Sequence, residues 1–249
     1  MVTLQGRNVV VIGGSRGVGR RVVEVAARSG ARVLAVARNG EALERLVRDL
    51  PGIEILALDA SDEQAPSRVF EALSPDVLVL CAGAFPPAAP LHEQTWAQFA
   101  VNWEADVKIA FHFLKETLSR PLPTGTSVIL VSSGAALAGS PISGGYAGAK
   151  RTQMFIANYS QKESDRLGLG LRFVTLAPRI MPDSDLGRHA VAGYSRYLGM
   201  SEQDFIGSMG ASPTSSDVAA AVLELAANSE SFKGKSFVVS GKGLESASG

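Results

Sequence analysis

Short apolar runs that alternate with helix-like segments constrain this chain more than any other feature. Residues 8–12, 31–37, 53–58, 77–80, 127–131, 171–176 and 236–239 are such runs, rich in Val, Leu and Ile. A strand with one wet face alternates apolar and polar residues, whereas a run that is apolar throughout must be covered on both faces. Between the runs lie stretches with helical spacing, among them 19–28, 41–50, 95–119 and 146–167, punctuated by Ser29-Gly30 and Pro51-Gly52. Seven strands separated by helices predict a doubly wound, seven-stranded parallel sheet with helices on both faces, a three-layer α/β sandwich with right-handed crossovers. A chain of 249 residues can build one such core, so 1–249 is read as a single domain. The rhythm fails at 181–216, where Pro182, Gly187, Gly193, Gly199, Gly207, Gly210 and Pro213 are scattered among Tyr194, Tyr197, Met200, Phe205 and Met209. That stretch reads as a long irregular segment, a substrate lid with apolar contact residues.

The first run leads into Gly13-Gly14-Ser15-Arg16-Gly17-Val18-Gly19 and then into a helical stretch. Glycine permits the tight turn and close backbone approach, and the start of the following helix offers unpaired N–H groups and a positive dipole end to a pyrophosphate. Gly13, Ser15, Arg16, Gly17, Val18 and Gly19 are therefore candidate dinucleotide contacts. In such a unit a carboxylate about 20 residues on, at the end of the second strand, binds the ribose hydroxyls of NAD. That place holds Ala37 and Arg38. An arginine instead of the acid, with Arg16 in the glycine loop, makes a two-pronged cation site for a 2′-phosphate, so NADP(H) is the expected cofactor. Asp59, leaving the third run, suits the adenine amino group or, as readily, caps a helix beginning near Glu63.

Tyr146 and Lys150 stand four apart at the start of a helical stretch, so their side chains share a face. A tyrosine with an ordinary pKa of about 10 is a poor acid at neutral pH, but a neighbouring ammonium stabilises its phenolate and draws that value down. Ser132 and Ser133 end the fifth run, at the sheet edge where doubly wound folds place ligands, and a hydroxyl there can bind a reacting carbonyl oxygen.

The glycine turn, Ala82-Gly83 after the fourth run, Asn102, Ser133 and Tyr146-x-x-x-Lys150 resemble the short-chain dehydrogenase/reductase family, across essentially the whole chain. The resemblance implies a Rossmann-type fold and hydride transfer between a nicotinamide and a carbonyl or secondary alcohol. It implies that Tyr146 is the general acid/base, that Lys150 lowers its pKa and holds the nicotinamide ribose, and that Ser133, 13 residues before the tyrosine, orients the carbonyl. Asn102, in Val101-Asn102-Trp103, would interrupt a long helix and fix a water in the proton relay from the lysine. Ala60, Cys81, Ala82, Gly83, Pro178 and Ile180 join the expected cofactor contacts, and a homodimer or homotetramer through 95–119 and 146–167 follows from family habit. Three positions depart from the family's pattern around the cofactor: Ile12 replaces threonine, Cys81 replaces asparagine, and Arg179 follows Pro178 where glycine is usual. The first two would remove a polar tie between the glycine loop and the fourth strand, and Arg179 would reach the substrate mouth or the pyrophosphate. These departures motivate an alternative, a catalytically idle NADP-binding or scaffold protein.

Composition narrows the partners. Lys plus Arg and Asp plus Glu are both 24, so no net field recruits nucleic acid or an anionic membrane, and a small carbonyl or alcohol is the expected substrate. A lone cysteine, Cys81, agrees with a cytoplasmic location, and neither a leader nor a membrane-spanning run is evident. His92, His112 and His189 lack metal-ligand spacing, so no metal is expected.

Overall fold

The computed structural model describes residues 3–247. Seven strands pair in parallel: β1 (Asn8–Ile12), β2 (Arg32–Ala37), β3 (Glu54–Ala57), β4 (Val77–Leu80), β5 (Ser127–Val131), β6 (Arg172–Pro178) and β7 (Ser236–Ser240). Their order across the sheet is β3-β2-β1-β4-β5-β6-β7. The expected count of seven is one short. An eighth strand, β8 (Gly243–Ser246), folds back antiparallel on β7, with Ser240 opposite Gly243 across a two-residue turn. It was hidden because an edge strand of four residues with one apolar side chain, Leu244, carries no continuous apolar run.

Alternate residues of each strand enter different cores. Val9 and Val11 of β1 pack with α1 (Gly17–Arg28), α2 (Gly40–Asp49) and, after β6, α10 (Ser215–Ala227), whereas Val10 and Ile12 pack with α3 (Ala65–Ala72), α5 (Lys108–Ser119) and α7 (Gly144–Leu167). Each such side chain contributes about 1.5–3 kcal/mol relative to exposure. Both faces are therefore covered, as the unbroken apolar runs require.

The helical stretch 95–119 is interrupted. Thr95 caps α4 (Trp96–Asn102) in a reciprocal capping box with Gln98, a π-helical turn follows at Trp103–Val107, and α5 completes it. A short α6 (Ala135–Ala138) precedes α7.

The stretch 181–216 is not irregular. It holds α8 (Asp185–Leu198) and α9 (Glu202–Ser208), capped by the Ser184 and Ser201 hydroxyls, and a last short helix, α11 (Ser229–Phe232), follows α10. Two glycines that suggested a loop serve close packing instead. A Cβ at Gly187 would stand 1.7 Å from the Met181 carbonyl oxygen, and one at Gly193 would stand 2.8 Å from the Ala88 Cβ. Among the described residues, no helix is long and apolar enough to cross a membrane, and no group of three His, Cys, Asp or Glu side chains is gathered as a metal requires.

Candidate active site

From β1 the chain runs outward to β2 and β3, then crosses to β4 on the other side of β1. The crevice at that reversal, beyond the C-terminal strand ends, is where an open α/β sheet accepts ligands. It holds a cavity of about 1010 Å³, at the upper end of the roughly 300–1,000 Å³ usual for ligand pockets. Every residue expected to touch a cofactor lines it, together with Ser133, Tyr146 and Lys150; Asn102 lies behind its wall.

The glycine loop is held by backbone bonds. Gly13 and Gly14 donate to the Val36 carbonyl at 2.8 and 3.0 Å, and Cys81 N donates to Ile12 O at 2.8 Å. Loop and fourth strand are thus tied although Ile12 and Cys81 offer no polar side-chain link. Gly13 has φ +89°, and a Cβ there would lie 2.7 Å from Ala82 N, so only glycine fits. Gly17, at φ +54°, has nothing within 4 Å of its missing Cβ. The helix α1 that starts there has no capping side chain and no acid in its first turn, unlike α2, which Asn39 caps. Its first N–H groups and positive dipole end are therefore available to an anion.

The two candidate 2′-phosphate arginines are not gathered at one point. Arg38 lies 3.9 Å from Asp59, while the Arg16 guanidinium sits 4.9 Å from the centre of the Phe85 ring. Asp59 does not cap α3, whose N-cap is Gln64. It instead accepts from the N–H and hydroxyl of Ser61 at 2.9 and 2.7 Å. Those two bonds, with help from Arg38, hold its carboxyl below the usual range.

At the other group of candidates, the first two turns of α7 present Tyr146 and Lys150 on one face, both buried. Lys150 Nζ donates to Val131 O at 3.2 Å and stands 5.8 Å from the centre of the Tyr146 ring. The two serines part company: Ser132 donates to the Lys150 carbonyl at 2.9 Å, fixing α7 to β5, whereas half-buried Ser133 accepts from Ala135 N–H at 3.2 Å and borders the cavity. Asn102, fully buried, donates through Nδ2 to Ala84 O at 2.8 Å and to Asp106 at 3.2 Å.

The expected lowering of the Tyr146 pKa is reversed. Burial pushes the phenol above its ordinary value, Lys150 and Ser133 pull it back only in part, and Asp106 pushes it up again. For Lys150 desolvation opposes the charge, but Asp106, Tyr146 and Cys81 together outweigh it and raise the ammonium. Burial drives the Cys81 thiol to about 12, leaving it an inert wall residue.

Tyr194, named among the apolar residues of 181–216, lines the cavity, and Phe85, Pro86, Met181 and His189 close it from the loop after β4, from the segment leading into α8 and from α8 itself. His189 Nε2 lies 2.9 Å from Pro86 O, and Tyr194 donates to Ser140 at 2.7 Å, so α8 is fastened to the loop after β4 and to the segment before α7. Arg179 borders the cavity beside Gly134, its guanidinium exposed. Most important is Asp106, 1% exposed and 3.2 Å from Lys150. Its one sequence signal is its place four residues after Asn102, on the same helical face.

Comparison with known proteins agrees with this geometry. Residues 7–191 match a family model described as short chain dehydrogenase. Similar proteins include an L-xylulose reductase of Homo sapiens, 33% identical over 134 residues, and a D-erythrulose reductase of Gallus gallus, 32% identical over 136 residues. Those matches cover 52% and 53% of this chain and 54% of each relative, so the chain spans about half the length of these curated relatives. A short chain dehydrogenase/reductase of Aspergillus aculeatus is 28% identical across 74% of this chain and 67% of its own.

Proposed function

The chain belongs to the short-chain dehydrogenase/reductase family, and from that premise we propose that it is an NADP(H)-dependent oxidoreductase interconverting a carbonyl and a secondary alcohol. The observation that carries this reading is the presence of Ser133, Tyr146 and Lys150 on the same cavity as the glycine loop. Bound NADPH would supply a hydride to the carbonyl carbon. Ser133 would donate a hydrogen bond to the carbonyl oxygen, and Tyr146 would pass its phenolic proton to that oxygen as negative charge develops. Lys150 and Asn102 would hold the tyrosine's surroundings.

The unoccupied N–H groups of α1 and the open face at Gly17 suit a pyrophosphate. The exposed Arg38 suits a 2′-phosphate, Arg16 joining it by leaving the Phe85 ring. Asp59 and Ala60 would border the adenine; Cys81, Ala82, Gly83, Pro178 and Ile180 would line the nicotinamide half. Relatives named as reductases of L-xylulose and D-erythrulose support reduction of a small carbonyl compound. Substrate would enter under α8 and α9, and a cytoplasmic homodimer or homotetramer belongs to the same reading.

The test follows NADPH and NADH consumption by the purified chain over ketones, aldehydes, keto acids and quinones. Turnover with NADPH that falls by about 10²-fold or more in Tyr146→Phe is expected. Preference for NADH would refute the role given to Arg38. Tight NADPH binding with no turnover, and no effect of Tyr146→Phe, would instead favour the idle nucleotide-binding scaffold.

A further inference from the structure

Behind Tyr146 and Lys150 the π turn carries a buried carboxylate enclosed from several elements. Asp106 Oδ1 accepts from Ala84 N–H at 2.9 Å and from Asn102 Nδ2 at 3.2 Å. Its Oδ2 lies 3.2 Å from Lys150 Nζ, and Gln153 Nε2 donates to its main-chain carbonyl at 2.8 Å. Gly83 makes the room, since a Cβ there would lie 2.6 Å from Asp106 Oδ2. The ammonium beside the phenol thus meets an opposite charge in a dry environment, where charge pairs act strongly on their neighbours. The other groups around it are the Cys81 thiol, neutral because burial drives it to about 12, and the Ser133 hydroxyl.

We propose that Asp106 is a positioning and charge-balancing residue of this site: it anchors Lys150 and offsets the ammonium's field at Tyr146. The proposal deepens the carbonyl-reductase reading and rests on it. Donation moves one proton from Tyr146 Oη to the substrate oxygen and leaves a phenolate; alcohol oxidation needs that phenolate at the outset. Asp106 therefore adds to burial in favouring the protonated phenol, the form that donates. It sets the pH range of each direction and leaves the reaction equilibrium untouched, as any catalyst must.

The decisive experiment needs no turnover. Phenolate absorbance of the ligand-free protein is titrated, and the trace of a matched Tyr146→Phe protein is subtracted to isolate Tyr146. Removing a negative charge favours the phenolate, so in Asp106→Asn, which keeps an oxygen for Ala84 and Asn102, the Tyr146 midpoint is expected to fall by about half a pH unit or more, a threefold rise in phenolate at fixed pH. Asp106→Ser gives the same reading should the asparagine protein not fold, and Asp106→Glu, which keeps the charge, is expected to stay near wild type. An unchanged midpoint in a folded Asp106→Asn or Asp106→Ser protein overturns the proposal, because a purely structural aspartate would leave the phenol where it was. If the chain also turns over, both pH limbs of kcat/KM move to lower pH with the titration. A shifted titration without turnover would leave Asp106's role standing while refuting the enzymatic reading.

Discussion

Arg38 follows β2 with its side chain 70% exposed and 3.9 Å from Asp59, a distance and exposure at which an ion pair contributes little. It is therefore free to turn toward a phosphate. Arg38→Ala is expected to weaken NADPH binding about tenfold, or about 1.4 kcal/mol, with NADH binding unchanged; fluorescence titration of both cofactors checks this. That Arg38, Tyr146, Lys150 and Ser133 share one cavity was legible in the sequence because each place follows from local spacing: a strand end, a four-residue helical interval, a serine at a sheet edge. Asp106 was not. Glu104 and Asp106 stand two apart in one helical stretch, and only the packed structure turns the first to solvent and the second inward. The raised Tyr146 phenol escaped for the same reason, since desolvation and a distant carboxylate decide its sign and neither is a property of the Tyr146-Lys150 interval.

Among the elements, α8 separates two readings of glycine. If Gly193 were a flexible point in a loop, alanine there would stabilise the chain by about 0.4–1 kcal/mol by restricting its unfolded state. The structure places Ala88 and Ile142 2.8 and 2.9 Å from the position of a new Cβ, an overpacking that costs about 1–3 kcal/mol. Gly193→Ala is therefore expected to lower Tm by a few degrees, and a higher Tm in thermal unfolding followed by circular dichroism would refute the packing argument. Apolar periodicity located the long helices to within a few residues, but it does not distinguish a glycine chosen for its φ from one chosen for its size. The irregular reading of 181–216 failed on that account. The family resemblance implied an interruption at Asn102, but its form, a π turn, was invisible for a related reason, because the helical pattern continues on both sides of Trp103–Val107 while the hydrogen-bond ladder shifts.

For the whole molecule, Val9 with Val11 and Val10 with Ile12 show how one short strand serves two cores, and that requirement made the layered architecture readable from apolar runs alone. The same helices keep large apolar groups outside: Phe111 on α5 is 52% exposed, and Phe155 and Tyr159 on α7 are 46% and 56% exposed. Surfaces of this kind mark contacts between chains. The chain is expected to run as a dimer or tetramer in size-exclusion chromatography with light scattering, and Phe155→Glu to shift it toward the monomer; a wild-type monomer at micromolar concentration would refute the interface. The strand order also has a meaning in time. β1 to β4 are consecutive in sequence and form one contiguous half of the sheet, β3-β2-β1-β4, so these four strands and the glycine loop between β1 and α1 have all been made once residue 80 or so has left the ribosome, while α10, which packs on α1, comes much later. Until Ser127–Val131 follows, the outer edge of β4 is an unpaired strand edge, the kind most prone to pairing with another chain. The long helical stretch between them, 95–119, therefore delays the closure of that seam, so the interval between β4 and β5 is one in which a nascent chain carries an edge open to aggregation.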